Sequence, residues 1–167
     1  VIDHEITPFL HLSMILFVVI LTVVIVVAGN RVKRAGYLKP FSRWFGISLF
    51  CIWVTYNIYY FLPANFSFDT SLPLHVCDVL AVIACLSLIK QNRKTSSILY
   101  FCALVLTGQA LITPTGNQDP TTFRFWLFWF LHAGIIAAAI YDLVVRKYRP
   151  VFKDFLFVIA FDFLYVI

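Results

Sequence analysis

Within LPLHVCDVL, residues 72 to 80, a histidine, a cysteine and an aspartate fall within four positions at the head of an apolar run. His75 can take or give a proton near neutral pH, Cys77 is a nucleophile as its thiolate, and Asp78 can orient an imidazole. On a helix His75 and Asp78 share a face, with Cys77 about 100° from Asp78. With His132 as a further base, the catalytic candidates are Cys77, His132, His75 and Asp78. Arg124, Gln109 and Asn57 could hold an oxyanion or a phosphate, and His11 joins them as a substrate-binding candidate. A thiol enzyme of this kind needs no cofactor. His11, His75, His132 and Asp78 are also good ligands for a divalent metal, so spacing leaves a metal-dependent membrane hydrolase equally open. A third reading is a non-catalytic protein that binds lipid or transports a solute.

The elements that must carry these residues are apolar. The chain of 167 residues is 62% hydrophobic and 13% charged, with a mean hydropathy of +0.90, against about 25% charged residues in a soluble domain. Apolar stretches at 8–28, 41–62, 72–89, 97–113 and 122–145 approach or exceed the roughly 20 residues of a spanning helix. A sixth starts at Phe155 and is still apolar at Ile167. The expectation is an all-α, polytopic transmembrane bundle with five complete spans and a truncated sixth, forming one domain over 1–167. The chain begins with Val1, as expected of a fragment. Asp3 and Glu5 stand where the basic region of a signal peptide belongs, so none is expected. The cysteines, Cys51, Cys77, Cys85 and Cys102, form no CxxC pair, so neither a zinc knuckle nor a disulfide framework is indicated.

The net charge of +5 is a topology signal and not a sign of nucleic-acid binding. Of 13 basic residues, all but Arg124 fall in or beside the first, third and fifth loops: Arg31 to Arg43, Lys90 to Lys94, and Arg146 to Lys153. The positive-inside rule predicts cytoplasmic odd loops and an external N-terminus in the cell membrane. Membrane lipids are the partners implied, with secondary attraction to anionic ones; no protein partner can be inferred.

In this topology all four histidines, counting His4, fall on the outer side. His75, Cys77 and Asp78 lie about 4 to 9 Å into the membrane from Leu72, with Pro73 suited to the first helical turn. Three histidines on three helices at one depth predict a shared cavity. Plainer roles are expected elsewhere. Asn57, Gln109 and the threonines suit interhelical hydrogen bonds. The tyrosines with Trp126 and Trp129 suit an aromatic belt, and Cys51, Cys85 and Cys102 suit apolar fillers. Asp142 pairs with Arg146 one turn on. Ala133, Gly134, Ala137 and Ala138 form small-xxx-small pairs that let the fifth span pack closely.

LPLHVCDV, GQALITP closing the fourth span, FRFWLFWFLHAGII in the fifth and FLHL near the start resemble the transmembrane protein 164 family with its bacterial YwaF-like members. The resemblance runs over nearly the whole chain, and the order and spacing of these motifs make it specific. It implies a polytopic helical fold and, from the animal members, acyl transfer between phospholipids through an acyl-cysteine. By motif, Cys77 of LHVC resembles the acyl-carrying cysteine and His132 of LHAG resembles the family histidine. Two departures stand out: Ala133 follows His132 where the family has His-Gly, and the family's Asn-rich C-terminal helix has no counterpart here.

Overall fold

The computed structural model describes residues 7–72, 75–114 and 119–166. Among these every regular element is a helix. Helix α1 (Pro8–Arg34) starts with Thr7 accepting from the Leu10 amide, has proline in its first turn and ends in Arg31, Lys33 and Arg34, the polarity that favours both helix ends. After Gly36, at φ +84°, α2 (Leu38–Phe61) runs back. Only a residue without Cβ takes that φ cheaply. A short α3 (Phe68–Ser71) precedes α4 (Val76–Lys90). Gln91 in the left-handed region ends α4, and the Asn92 side chain caps α5 (Arg93–Ile98). Helix α5 runs on through a π-helical segment, Leu99–Thr107, into α6 (Gly108–Ile112). Helices α7 (Phe123–Val144) and α8 (Phe152–Val166) complete the described chain.

Three of these are long and apolar enough to cross a membrane: α1, the continuous run Arg93–Ile112, and α7. Five complete spans were expected, and the difference has local causes. Helix α4 begins at Val76 and not at Leu72, which leaves it 15 residues, or about 22 Å at 1.5 Å per residue against a hydrocarbon core of about 30 Å. Helix α8 is equally short within the described residues. Helix α2 has the length, but Tyr56, Asn57, Tyr59 and Tyr60 dilute its C-terminal half. Pro73 and His4, placed by the sequence reading at a helix start and on the outer side, lie outside the described residues.

Helix α7 is the axis of the molecule. Trp129, Ala133, Ile135, Ala137, Ala138 and Tyr141 are all fully buried. One core lies between α2, α4, the π segment and α7, and a second, around Val18, Leu111, Phe125 and Trp129, joins α1 to α7. Close approach is built into the small residues: a Cβ at Gly134 would come within 2.6 Å of Leu49 on α2. Trp129, expected in an aromatic belt, is in this core instead, while Trp126 is exposed and donates to the Pro120 carbonyl. Along α1, Leu12, Leu16, Val19, Ile20, Val23, Val24 and Val27 stay exposed, an apolar row too long for a surface in water.

At the end of the bundle that carries most of the basic residues, called the inner end and its opposite the outer end, the helices are tied by a polar lock. Asp142 on α7, 1% exposed, accepts from Ser87 of α4 at 2.6 Å and Ser96 of α5 at 2.8 Å. It also pairs with Arg146, as the four-residue spacing predicts, and Arg146 donates on to the Ser87 carbonyl. Beside it Arg93 clasps Asp154 at 2.6 Å, and Tyr148 donates to the same carboxylate. Burial raises the Asp154 pKa. The hydrogen bonds from Arg93, the Val151 amide and Tyr148 outweigh it and pull the carboxyl down to about 2.

Candidate functional site

The candidate residues gather where the outer half of α2 meets the first turn of α4. His75 is the N-cap residue of α4, with no side-chain capping bond, and Cys77 and Asp78 sit in the first turn. The trio therefore lies at the mouth of the helix and not a turn inside it. Asp78 turns inward and is 5% exposed. Its Oδ1 accepts from Trp53 Nε1 on α2 at 3.1 Å, and its Oδ2 is 3.6 Å from His75 Nδ1. Asn57 is beside the carboxylate and donates to the Trp53 carbonyl. Tyr56 is within electrostatic reach of both Asp78 and Arg124. It packs on Tyr60 at 4.8 Å between ring centroids, and the Arg124 guanidinium from α7 lies 5.3 Å from the Tyr60 ring. Trp53, Tyr56, Asn57 and Tyr60 are spaced i, i+3, i+4, i+7, one face of one helix.

Cys77 is half-buried and points toward the π segment. Its thiol is close to Thr107 but not in hydrogen-bonding geometry, so the fully buried Thr107 Oγ1 has no partner among the described residues. The cause is local. Thr22, Thr55 and Thr113 each donate to the carbonyl four residues back, the usual outlet for a helical hydroxyl. Thr107 closes the widened π segment, where backbone partners shift by one residue, and lacks that bond. An unpaired buried hydroxyl costs about 1–3 kcal/mol. Such strain is found at functional sites more often than elsewhere.

The remaining candidates are placed differently. His132, 4% exposed, has its ring 4.0 Å from that of Phe128, and Nδ1 is 2.8 Å from the Phe128 carbonyl. A carbonyl only accepts, so Nδ1 carries the proton and Nε2 keeps its lone pair. His11 gives its Nε2 proton to the Leu111 carbonyl at 2.8 Å and lies 6.0 Å from the Trp129 ring. Gln109 is exposed. Neither His75 nor His132 is hydrogen-bonded to Cys77 among the described residues. No three His, Cys, Asp or Glu side chains among them come close enough to hold a metal ion; the histidines face different neighbours. Of the other cysteines, Cys85 is a buried filler. Cys51 is exposed, and Cys102, expected as a filler, donates to Asp162 on α8 at 3.5 Å.

Trp53 was not legible as a site residue, although its i, i+4 spacing to Asn57 was available as a signal. Tyr56 and Tyr60 were read as belt residues for want of a reason to aim them inward. No curated protein and no solved structure matches the chain. A family model does, over residues 3–167, and on that coverage the chain belongs to the TMEM164 family.

Proposed function

We propose that this is a multi-pass protein of the cell membrane, a single domain with its N-terminus outside and its basic loops in the cytoplasm, that transfers acyl groups between membrane phospholipids through Cys77. The observation that carries the reading is the proximity of Cys77 to a Thr107 hydroxyl that has no hydrogen-bond partner among the described residues, next to a buried carboxylate held by Trp53. In the proposed topology this mouth lies at the outer interface, where lipid ester carbonyls are found.

The Cys77 thiol gives its proton to an imidazole, and the sulfur attacks the ester carbonyl of a phospholipid. The ester C–O bond breaks, the lysophospholipid alcohol leaves with that proton, and a thioester remains on Cys77. The hydroxyl of an acceptor lysophospholipid then attacks the thioester, losing its proton to the returning thiol. His132, whose Nε2 has no hydrogen-bond partner among the described residues, is the base, with His75 beside Asp78 the second candidate. The Thr107 hydroxyl donates to the carbonyl oxygen as charge develops there. Asp78 orients His75, Arg124 and Asn57 receive the lipid phosphate, and His11 and Gln109 line the approach.

Proteoliposomes holding the full-length protein, a labelled phospholipid and an unlabelled lysophospholipid test this. Label should move to the acceptor with wild type and Cys85→Ala, and not with Cys77→Ala, Cys77→Ser or His132→Ala at matched expression. Full turnover by Cys77→Ala would contradict the thiol route. Topology is tested separately with Ala35→Cys and Ala64→Cys and an impermeant thiol reagent on intact cells. Ala64→Cys should label and Ala35→Cys should not; the reverse pattern inverts the topology.

A further inference from the structure

A second site lies at the opposite end of α2, away from Cys77. Lys39 and Arg43 of α2 and Lys90 at the end of α4 line one pocket of 710 Å³. Lys39, Arg43 and Lys90 are exposed, and among the described residues none of them is paired with a carboxylate. Arg93 and Arg146, by contrast, are engaged by Asp154 and Asp142. Three uncompensated charges around one concavity cost self-repulsion, which an anion would relieve. The N-terminus of α2 has no side-chain cap, but Pro40 carries no N–H and the Phe41 amide donates to the Tyr37 carbonyl, so it is the cationic side chains that must hold the anion.

The floor of the pocket is apolar, with Ile47 and Ile89. Trp44, 70% exposed, lines this pocket and also a second, apolar groove of 520 Å³ formed by Leu21, Ile25, Phe45 and Phe130. A tryptophan between a cationic pocket and an apolar groove is the arrangement found where headgroup meets acyl chain. A free phosphate would use the first and leave the second empty; a phospholipid would fill both. Charge and shape together select the lipid.

We infer that this end of the molecule binds an anionic phospholipid, its phosphate held by Lys39, Arg43 and Lys90 and an acyl chain laid past Trp44 into the α1–α2–α7 groove. The site is independent of the outer one, and its occupant is a bound lipid and not a substrate.

Native mass spectrometry of the detergent-purified full-length chain, titrated with phosphatidylglycerol or with phosphatidylcholine of the same chains, tests the assignment. Wild type should retain phosphatidylglycerol in preference. The triple variant Lys39→Gln/Arg43→Gln/Lys90→Gln should bind it more weakly by on the order of 100-fold, about fivefold per charge. A control with the same charge removed elsewhere, Arg34→Gln/Lys147→Gln/Lys153→Gln, should bind as wild type. Ser48→Trp, which fills the apolar groove, should weaken phosphatidylglycerol binding while leaving all three cations in place. Matched thermal melting in lipid-free detergent establishes that the variants are folded. Undiminished binding by the pocket triple overturns the site, as does equal loss by the two triples, which would mean diffuse attraction. Inorganic phosphate displacing the lipid at millimolar concentration, or a silent Ser48→Trp, overturns the lipid as occupant.

Discussion

The two ends of the helix bundle handle buried polarity in opposite ways. At the inner end Asp142 is surrounded by donors: two serine hydroxyls and an arginine that also bonds the backbone of α4. At the outer end Asp78 has one indole donor, a loosely placed histidine and Asn57 beside it, while the Thr107 hydroxyl has no hydrogen-bond partner among the described residues. Both carboxylates are nearly inaccessible. A saturated network rigidifies and specifies helix register. An unsaturated one lowers stability and keeps donors free for a ligand. The inner end therefore reads as architecture and the outer end as a site.

The comparison predicts unequal costs. Asp142→Ala leaves Arg146 buried without its counter-charge and takes from Ser87 and Ser96 their shared acceptor, leaving those hydroxyls only each other, and should lower stability in detergent by about 3–5 kcal/mol. A thermal melt within about 1 kcal/mol of wild type would remove the lock from the account. At the outer end Asp78→Asn keeps an acceptor for Trp53 and should cost no more than about 1–2 kcal/mol, measured in the same melt. If Asp78→Asn is as damaging as Asp142→Ala, the two ends are not different in kind.

The acid limb sharpens the contrast at the inner end. Asp154 has a folded pKa depressed to about 2, so its contribution is fully present above the unfolded value near 4 and is lost as pH falls through about 2. With Arg93 half exposed the loss should be about 1 kcal/mol after solvent screening. Melting temperature followed from pH 4 to pH 2 should fall less steeply in Asp154→Asn than in wild type, and identical slopes would contradict the assignment. The smallest effect is expected at Thr107. Thr107→Val removes an unpaired hydroxyl and should leave stability unchanged or raise it by up to about 1 kcal/mol, while slowing acyl transfer. A marked loss of stability would mean that the hydroxyl has a structural partner.

Composition and periodicity were enough to read the helical class, the extent of α7 and the start of α1, whose helix runs past the expected end at residue 28 to Arg34. The i, i+4 rule was enough for Asp142 and Arg146. The start of α4 was misjudged because apolar content continues through Leu72 and Leu74, whereas the helix starts only after the extended backbone of His75. Depth can be read from a sequence, but azimuth cannot. His11, His75 and His132 turn to Leu111, Asp78 and Phe128 respectively. The Trp53 to Tyr60 face of α2 was hidden for the same reason, since an aromatic at an interface is equally at home facing lipid or a neighbouring helix. The orphan at Thr107 depends on a π segment that no residue in LYFCALVLT announces.

The central claim is that Cys77 carries an acyl group, and intact-mass analysis of the purified full-length protein tests it most directly. The account predicts a mass increment of one fatty acyl chain that hydroxylamine removes, present in wild type and Cys85→Ala and absent in Cys77→Ala. A hydroxylamine-labile adduct that persists in Cys77→Ala, or an unmodified wild type trapped while it turns over lipid, would contradict it.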